Sequence, residues 1–248
     1  VGDIVEDRLG WQEYAIGGGP TLRKVDPSIA PISTANGVLG MPGMTAYFGL
    51  LEVGQPKAGD TVLVSAASGA VGSIVGQIAK IKGCRAVGIA GGADKCRYVV
   101  EELGFDACVD YKQHSDPKSF YAALKEATPK GIDGYFENVG GWIMDAVMLR
   151  MNAFGRIAVC GMIAGYDGAP LAMANPALIL INRMKVEGFI VGEHMEVWPE
   201  ALKELGQLVG SGTLRPRESV AQGLAAAPEA FLGMLKGKNF GKQLVKLV

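Results

Sequence analysis

Glycines between an apolar segment and an amphipathic one could bind a phosphate group. The apolar run 61–65 leads into Ala66-Ala67-Ser68-Gly69-Ala70-Val71-Gly72, and the amphipathic segment continues to Lys82. Backbone N–H groups at a helix start can hold a pyrophosphate, and the helix dipole favours its charge. Gly69 would permit close backbone approach, and Gly72 would let the helix pack against the strand. The pattern predicts a dinucleotide site, although Ala67 replaces the first glycine of GxGxxG.

The end of the next apolar run indicates which dinucleotide binds. Proteins that bind NAD place an Asp or Glu about 20 residues further on, against the ribose 2′-hydroxyl. Gly91 occupies that position here, and Asp94, Lys95 and Arg97 follow it. Glycine leaves space for a 2′-phosphate, with which Lys95 could pair. A solvated helical turn is the alternative for the two cations, but cations are disfavoured at a helix N-terminus without an anion. The sequence therefore favours NADP(H).

Alternating strands and helices are predicted to position these residues. Nearly continuous apolar runs, typical of parallel strands buried on both faces, lie at 61–65, 86–90, 107–109, 132–137, 156–160 and 185–191. Helices are predicted at 71–82, 94–103, 117–127, 142–150, 176–182 and 198–211. This alternation predicts an α/β fold, a Rossmann doubly wound parallel sheet with strand order 3-2-1-4-5-6.

The segments before and after this alternation differ from it. Residues 1–40 hold short β-like pieces broken by Gly and Pro, such as Trp11–Ile16, and are predicted to be part of a β-rich domain. The chain opens on strand-like residues without Met, so we expect the N-terminal portion of that domain to be missing. Residues 41–212, starting with a helix at 44–53, are predicted to form the nucleotide-binding domain. Residues 213–248, with a helix at 225–235 and a strand at 242–247, are predicted to return to the β-rich domain.

Composition argues against several functions. The 248 residues are 49% hydrophobic and 20% charged, with a formal net charge of −1 and no Lys/Arg run, so nucleic acid is not an expected partner. No signal peptide or transmembrane-length apolar run is visible, so we expect a cytoplasmic protein without a membrane partner. His114 and His194 lack partners at ligand spacing, so no metal site is expected. Free buried thiols without a redox motif are expected at Cys84, Cys96, Cys108 and Cys160.

Together these motifs make the sequence resemble the zinc-independent medium-chain dehydrogenase/reductases. It is most similar to the leukotriene B4 12-hydroxydehydrogenase, prostaglandin reductase and alkenal double-bond reductase group, which includes bacterial curcumin reductases. The resemblance covers essentially the whole chain. It is carried by GMTAYFGL (43–50), AVGSIVGQIAKIK (70–82), GFD (104–106), YFENVGG (135–141), FGRIAVCG (154–161) and GMLKGKNFGK (233–242). It implies that the β-rich domain is GroES-like, with about one third more chain at its N-terminus.

The resemblance also implies roles for individual residues. It places Tyr166 at the substrate, as the candidate catalytic residue, although a surface-loop aromatic is the alternative. Plain core packing is the alternative for Cys160 and Phe189. With the phosphate loop, the predicted cofactor-binding residues are Met44, Thr45, Ala66, Gly69, Ala70, Val71, Gly72, Gly91, Lys95, Tyr111, Asn138, Cys160, Gly161, Ile163, Phe189, Val191 and Asn239.

The implied reaction is NADPH-dependent reduction of the C=C bond of an α,β-unsaturated ketone or aldehyde. Tyr166 or a ribose hydroxyl of the cofactor could stabilise the oxyanion that forms. A quinone oxidoreductase of the same superfamily and a non-catalytic NADP-binding protein are the alternatives. The resemblance also implies a homodimer through the edge of the sixth strand, because proteins of this group pair their subunits there. The apolar residues 189–191 at this edge would be buried by such pairing.

Overall fold

The N-terminal segment contains little regular structure in the computed structural model, which describes residues 2–19, 21–168 and 170–247. Two short strands, β1 (Val5–Glu6) and β2 (Arg23–Lys24), pair antiparallel. The predicted β-like piece at 11–16 is wrong, because this segment forms no strand. Its side chains at Tyr14 and Ile16 are 88% and 105% exposed, and a strand without a pairing partner or a buried face is not stable in water.

A six-stranded sheet lies at the centre of the molecule. Its strands are β3 (Thr61–Val64), β4 (Arg85–Ala90), β5 (Ala107–Asp110), β6 (Ile132–Glu137), β7 (Met151–Val159) and β8 (Lys185–Gly188). They are all parallel and lie in the order β5-β4-β3-β6-β7-β8. Numbered from the first strand of the sheet, this is 3-2-1-4-5-6, so the predicted topology is confirmed. The order reverses between β3 and β6, where an open α/β sheet forms its ligand crevice.

Helices cover both faces of this sheet. They are α1 (Met41–Phe48), α2 (Gly72–Ile81), α3 (Ala93–Arg97), α4 (Pro117–Ala127), α5 (Gly141–Met148), α6 (Ala177–Ile181), α7 (Trp198–Gly210) and α8 (Ala227–Leu235). The first helix begins three residues before the predicted start, with Pro42 in its first turn, a position that proline favours. Wider π-helical turns continue α1 over Gly49–Gly54 and α3 over Tyr98–Glu102.

Two apolar cores follow from the alternation of side chains along the strands. On one face, Val62 and Val64 pack in a cluster with residues of α1, α2 and α7. On the other, Leu63 packs in a cluster with residues of α4 and α5. The central strands are therefore buried on both sides, which explains their nearly continuous apolar sequence. Among the described residues, no helix has the length and apolar character needed to cross a membrane.

The sixth strand of the sheet is shorter than predicted. It ends at Gly188 rather than at 191, and a 3₁₀ turn follows at Val191–Glu193. The Phe189 ring turns inward, with its centroid 5.5 Å from that of Phe48 and 6.2 Å from that of Phe136. Burying this ring in the core competes with extending an edge strand that has hydrogen-bond partners on one side only. Strand β8 lies at the edge of the sheet, as expected.

The C-terminal tail lies beside the phosphate loop. It contains β9 (Glu218–Gln222), which the sequence did not predict, and β10 (Lys242–Lys246), which pairs with β9 in parallel. Immediately before β10, Gly241 forms a parallel bridge with Gly69. The tail also contacts the N-terminal segment, where the Trp11 and Phe231 rings pack edge to face at 5.6 Å. The division into residues 1–40, 41–212 and 213–248 stays a prediction.

Candidate functional site

The phosphate loop presents unpaired backbone N–H groups at the start of α2. Ala66 takes the left-handed conformation, with φ 49°. A Cβ added at Gly72 would lie 2.5 Å from the Ala66 carbonyl oxygen, so only glycine allows this close packing of the helix start on the loop. Among the described residues, no hydrogen-bond acceptor faces the amides of Ala70 and Val71. Two adjacent free donors at a helix N-terminus suit a phosphate group.

Residues 239–241 of the C-terminal tail contact this loop. The Gly241 N–H donates to the Ser68 carbonyl at 2.8 Å. The Asn239 side chain donates to the Gly241 carbonyl, also at 2.8 Å. Asn239 therefore lies beside the phosphate loop, although about 170 residues separate them along the chain.

A second candidate anion site lies at the end of β4. A Cβ at Gly91 would lie 2.8 Å from the Tyr111 ring and 2.9 Å from Lys112 Cε. An Asp or Glu at this position, the acid typical of NAD-binding proteins, would therefore displace the ends of both side chains from the turn. Asp110 fixes this turn by accepting hydrogen bonds from the backbone N–H groups of Gly92 (2.7 Å) and Lys112 (3.0 Å).

Two lysines face this turn without a carboxylate partner. The Lys95 ammonium donates to the Gly237 carbonyl at 2.7 Å, and burial, followed by the charge of Lys112, lowers the pKa of Lys95. Within the described ranges, neither lysine forms an ion pair. Arg97, by contrast, pairs with Asp94 on its own helix, as in a solvated helical turn. Two like charges near one another favour a bound anion. Lys112 was not among the residues predicted from the sequence, although it directly follows Tyr111.

The ends of β6 and β7 form the third part of the site. Asn138 donates from its side chain to the Ser65 carbonyl and from its backbone N–H to Ser65 Oγ, both at 2.8 Å. Its side-chain oxygen accepts the Cys160 thiol at 3.2 Å, and its carbonyl accepts the Ile163 N–H at 3.2 Å. These bonds bring Asn138, Cys160 and Ile163 together at the crevice where the strand order reverses.

The fully buried Glu137 carboxylate is linked to Asn138 through the Ser65 hydroxyl. It accepts hydrogen bonds from Ser65 Oγ at 2.8 Å, from the Tyr135 hydroxyl at 2.7 Å and from the Val139 N–H. Burial and the Glu137 charge raise the pKa of Tyr135 well above its usual value. The same two causes raise the pKa of Cys160 to about 12, so this thiol is uncharged. Glu137 was not predicted as a site residue. A single acid inside an apolar strand does not indicate which residues will donate hydrogen bonds to it.

Tyr166 lies over the end of β7. Its side chain is 68% exposed. Its hydroxyl lies 3.3 Å from the position that a Cβ on Gly161 would occupy. The loop therefore brings the hydroxyl of Tyr166 to the same crevice as Asn138 and Cys160.

Of four other predicted residues, Met44 and Val191 are buried, and Thr45 and Phe189 are partly buried. Met44 is 1% exposed and Val191 is 7% exposed, and both belong to the apolar cluster against which Phe189 packs. The Thr45 hydroxyl donates to the Met41 carbonyl at 2.7 Å within α1. In this structure these side chains serve packing and helix geometry, and their contact with a cofactor stays a prediction.

The described residues contain no group of three or more His, Cys, Asp or Glu side chains that could hold a metal ion. The parallel sheet, the phosphate loop at its first crossover and the lysine-lined turn after its second strand define a Rossmann-type dinucleotide-binding protein.

Comparison of this chain with known proteins identifies a family within this class. The family model described as zinc-binding dehydrogenase matches residues 70–207. The NADPH-dependent curcumin reductase of Escherichia coli is 46% identical over 256 residues, covering 99% of this chain and 72% of that protein. The NADP(+)-dependent 2-alkenal reductase of Nicotiana tabacum is 45% identical over 246 residues, covering 98% and 71%. The crystal structure described as CurA in complex with NADPH, from Vibrio vulnificus, superposes with a TM-score of 0.92 at 46% identity, covering 100% and 74%.

The chain belongs to the zinc-binding dehydrogenase family, within its medium-chain alkenal and enone reductase group. The resemblance inferred from the sequence motifs is confirmed at this level.

Proposed function

We propose that this chain binds NADPH and reduces the C=C bond of α,β-unsaturated ketones or aldehydes. The observation that carries the proposal is Lys112 beside Gly91 with Lys95 near it, neither of them in an ion pair among the described residues, together with the free amides of Ala70 and Val71. These groups fit a dinucleotide with an additional phosphate. The relatives named for curcumin and 2-alkenal reduction support this substrate class.

The residues divide the proposed cofactor site into three parts. The amides of Ala70 and Val71 would hold the pyrophosphate, and Asn239 would approach the loop from the tail. Tyr111, Lys95 and the newly recognised Lys112 would hold the 2′-phosphate by charge-assisted hydrogen bonds. The nicotinamide side is assigned to Asn138, Cys160, Gly161 and Ile163, with Met44, Thr45, Phe189 and Val191 behind them.

NADPH, when bound, supplies a hydride. The chain's own residues would hold the substrate carbonyl so that its β-carbon faces the cofactor. Reduction at that carbon would place negative charge on the carbonyl oxygen, and a proton taken up at the α-carbon would complete the reduction of the C=C bond. The Tyr166 hydroxyl, which lies over Gly161, would donate a hydrogen bond to this oxygen and stabilise the charge. The uncharged Cys160 thiol, held by Asn138, leaves this part of the site free of a competing anion.

The cofactor assignment is tested by calorimetric titration with NADPH and NADH. We expect Lys112→Ala to raise the Kd for NADPH about 10-fold or more, which corresponds to one lost charge-assisted hydrogen bond, and to leave the Kd for NADH unchanged. Lys125→Ala, an exposed lysine on α4, is the matched control. Equal effects of Lys112→Ala on both dinucleotides would contradict the assignment.

The reaction is tested by following NADPH oxidation at about 340 nm with a 2-alkenal, an enone and a quinone. We expect turnover of the 2-alkenal and the enone. We expect Tyr166→Phe to lower kcat by about 10²-fold or more and to leave the Kd for NADPH unchanged. Turnover of the quinone alone would favour a quinone oxidoreductase. NADPH binding without any turnover would favour a non-catalytic NADP-binding protein.

We also propose a homodimer through the free edge of β8. Near this edge, Leu180 and Ile190 are 80% and 65% exposed, and burying such side chains between two copies would remove apolar surface from water. Light scattering after gel filtration is expected to give twice the chain mass. Ile190→Glu is expected to give a monomer that still binds NADPH, and an unchanged dimer would place the interface elsewhere.

A further inference from the structure

Two cysteines that the sequence presents as isolated thiols meet beside the lysine-lined turn. Cys96 lies on α3 and Cys108 on β5, and their sulfur atoms are 3.1 Å apart. This separation is shorter than an ordinary sulfur–sulfur contact and about 1 Å longer than a disulfide bond. Both thiols are free. The expectation that the chain lacks a redox motif rested on spacing along the sequence, whereas these two sulfurs come together only in the fold.

We propose that Cys96 and Cys108 form a reversible disulfide when a hydroperoxide oxidises the protein, and that this disulfide weakens NADPH binding. The second half of this inference rests on the proposed function. The first half depends only on the two thiols.

The hydrogen bond between the two thiols gives the two cysteines different roles. Cys108 donates a hydrogen bond to the Cys96 sulfur. This bond lowers the pKa of Cys96 and raises that of Cys108. The thiolate is the reactive form of cysteine, so Cys96 is the nucleophile and Cys108 the thiol that resolves it.

A hydroperoxide can reach this pair from the surface. Both cysteines line a cavity of about 610 Å³ whose wall includes Ala93, Gln113 and His114. Ala93 and Gln113 are exposed, so the cavity meets solvent. The other two cysteines differ, because Cys84 is 3% exposed and burial raises its pKa and that of Cys160.

The oxidation proceeds in two balanced steps. The Cys96 thiol loses its proton, and the resulting thiolate attacks one oxygen of the hydroperoxide. The O–O bond breaks, the departing alkoxide or hydroxide takes up the released proton, and a sulfenic acid and an alcohol or water form. The Cys108 sulfur then attacks the Cys96 sulfur, forming the S–S bond and breaking the S–O bond. The departing hydroxide takes the Cys108 proton and leaves as water. The two thiols lose two electrons in total, and the hydroperoxide gains them.

The disulfide would act on the cofactor site through α3. Lys95 immediately precedes Cys96, and its ammonium lies 2.7 Å from the Gly237 carbonyl. Tyr111 and Lys112 follow β5, which carries Cys108. Closing the sulfur separation by about 1 Å moves the first turn of α3 relative to β5 and therefore moves Lys95 relative to Lys112. A 2′-phosphate that contacts both lysines binds less well when their spacing changes.

The experiment oxidises the NADPH-free chain with hydrogen peroxide and maps the thiols by peptide mass spectrometry. We expect one disulfide-linked peptide pair containing Cys96 and Cys108, its disappearance after dithiothreitol, and a rise of about three-fold or more in the Kd for NADPH that dithiothreitol reverses. Cys84→Ser, the matched control, should behave like the unaltered chain. Cys96→Ser should form no disulfide and keep its Kd through peroxide treatment.

Each contrary result has a distinct meaning. Four free thiols after peroxide, or over-oxidation of Cys96 without pairing, would overturn the inference. A disulfide that leaves the Kd unchanged would overturn its second half. Reduced protein that fails to bind NADPH would refute the proposed function, while the disulfide itself would still be read from the peptide masses. Comparing the far-UV circular dichroism of Cys96→Ser with that of the unaltered chain separates lost pairing from lost folding.

Discussion

Replacing Glu137 by alanine tests whether its buried hydrogen bonds support the candidate site. The substitution leaves two donors, the buried Tyr135 hydroxyl and the partly buried Val139 N–H, without their carboxylate acceptor. Ser65 keeps a nearby acceptor in the Phe136 carbonyl at 3.4 Å. Each unsatisfied buried donor costs about 1–3 kcal/mol. Part of this cost is offset, because the folded protein no longer has to desolvate a charge. We therefore expect the free energy of unfolding to fall by about 3 kcal/mol.

A second substitution shows whether this loss arises from the Tyr135 hydrogen bond. In the unaltered chain, Tyr135→Phe removes a hydrogen bond to a charged acceptor and should cost about 1.5–3 kcal/mol. In the Glu137→Ala background the same change removes a hydroxyl that has already lost its acceptor, so it should cost about 0–1 kcal/mol. The two changes should therefore be coupled by about 1–2 kcal/mol.

Urea unfolding followed by far-UV circular dichroism gives the four free energies. Equal denaturant slopes for the four proteins would show that the same transition is compared. If the two costs add to within about 0.5 kcal/mol, the network reasoning is wrong, because independent sites add in this way. A Kd for NADPH that rises in Glu137→Ala but not in Tyr135→Phe would locate the functional part of the network at Ser65 and Asn138.

Two further predictions concern packing and pH. Gly72→Ala should destabilise the chain by about 2 kcal/mol or more and abolish NADPH binding, because its Cβ would lie 2.5 Å from the Ala66 carbonyl oxygen. The control Gly210→Ala, at the last residue of α7 with nothing within 4 Å of the added Cβ, should leave the calorimetric Tm unchanged or slightly raised, because alanine is the better helix former. The Tyr47 hydroxyl holds the pKa of Glu204 below its usual value of 4.5, so the stability from this 2.7 Å bond is present above that pH and is lost as pH falls through the folded pKa. Tyr47→Phe should therefore lose less Tm than the unaltered chain between about pH 6 and pH 3, and parallel Tm curves would contradict this assignment.

Local sequence patterns predicted the sheet well, for a physical reason. Parallel strands buried on both faces need long apolar runs, and crossover helices separate them. Both features are local in sequence, so the six strands and their order could be predicted. The phosphate loop could be predicted for the same reason, because the strand, Gly69, Gly72 and the helix are consecutive.

The failures involve contacts between distant parts of the chain. The inward turn of Phe189 depends on Phe48, whose ring lies 5.5 Å away and comes from α1. Lys112 matters because its stem lies next to Gly91, and Glu137 because Ser65 donates to it from another strand. In each case the residue type was visible in the sequence, but its partner depended on the fold.

The bridge between Gly69 and Gly241 has a consequence for synthesis of the protein. The six-stranded sheet is complete once Gly188 has been made, but the residues that close the phosphate loop are translated roughly fifty residues later. A nascent chain halted between these points would hold a folded sheet with one side of its nucleotide pocket open. The ribosome must therefore translate the chain as far as Gly241 before the pocket can close around its ligand.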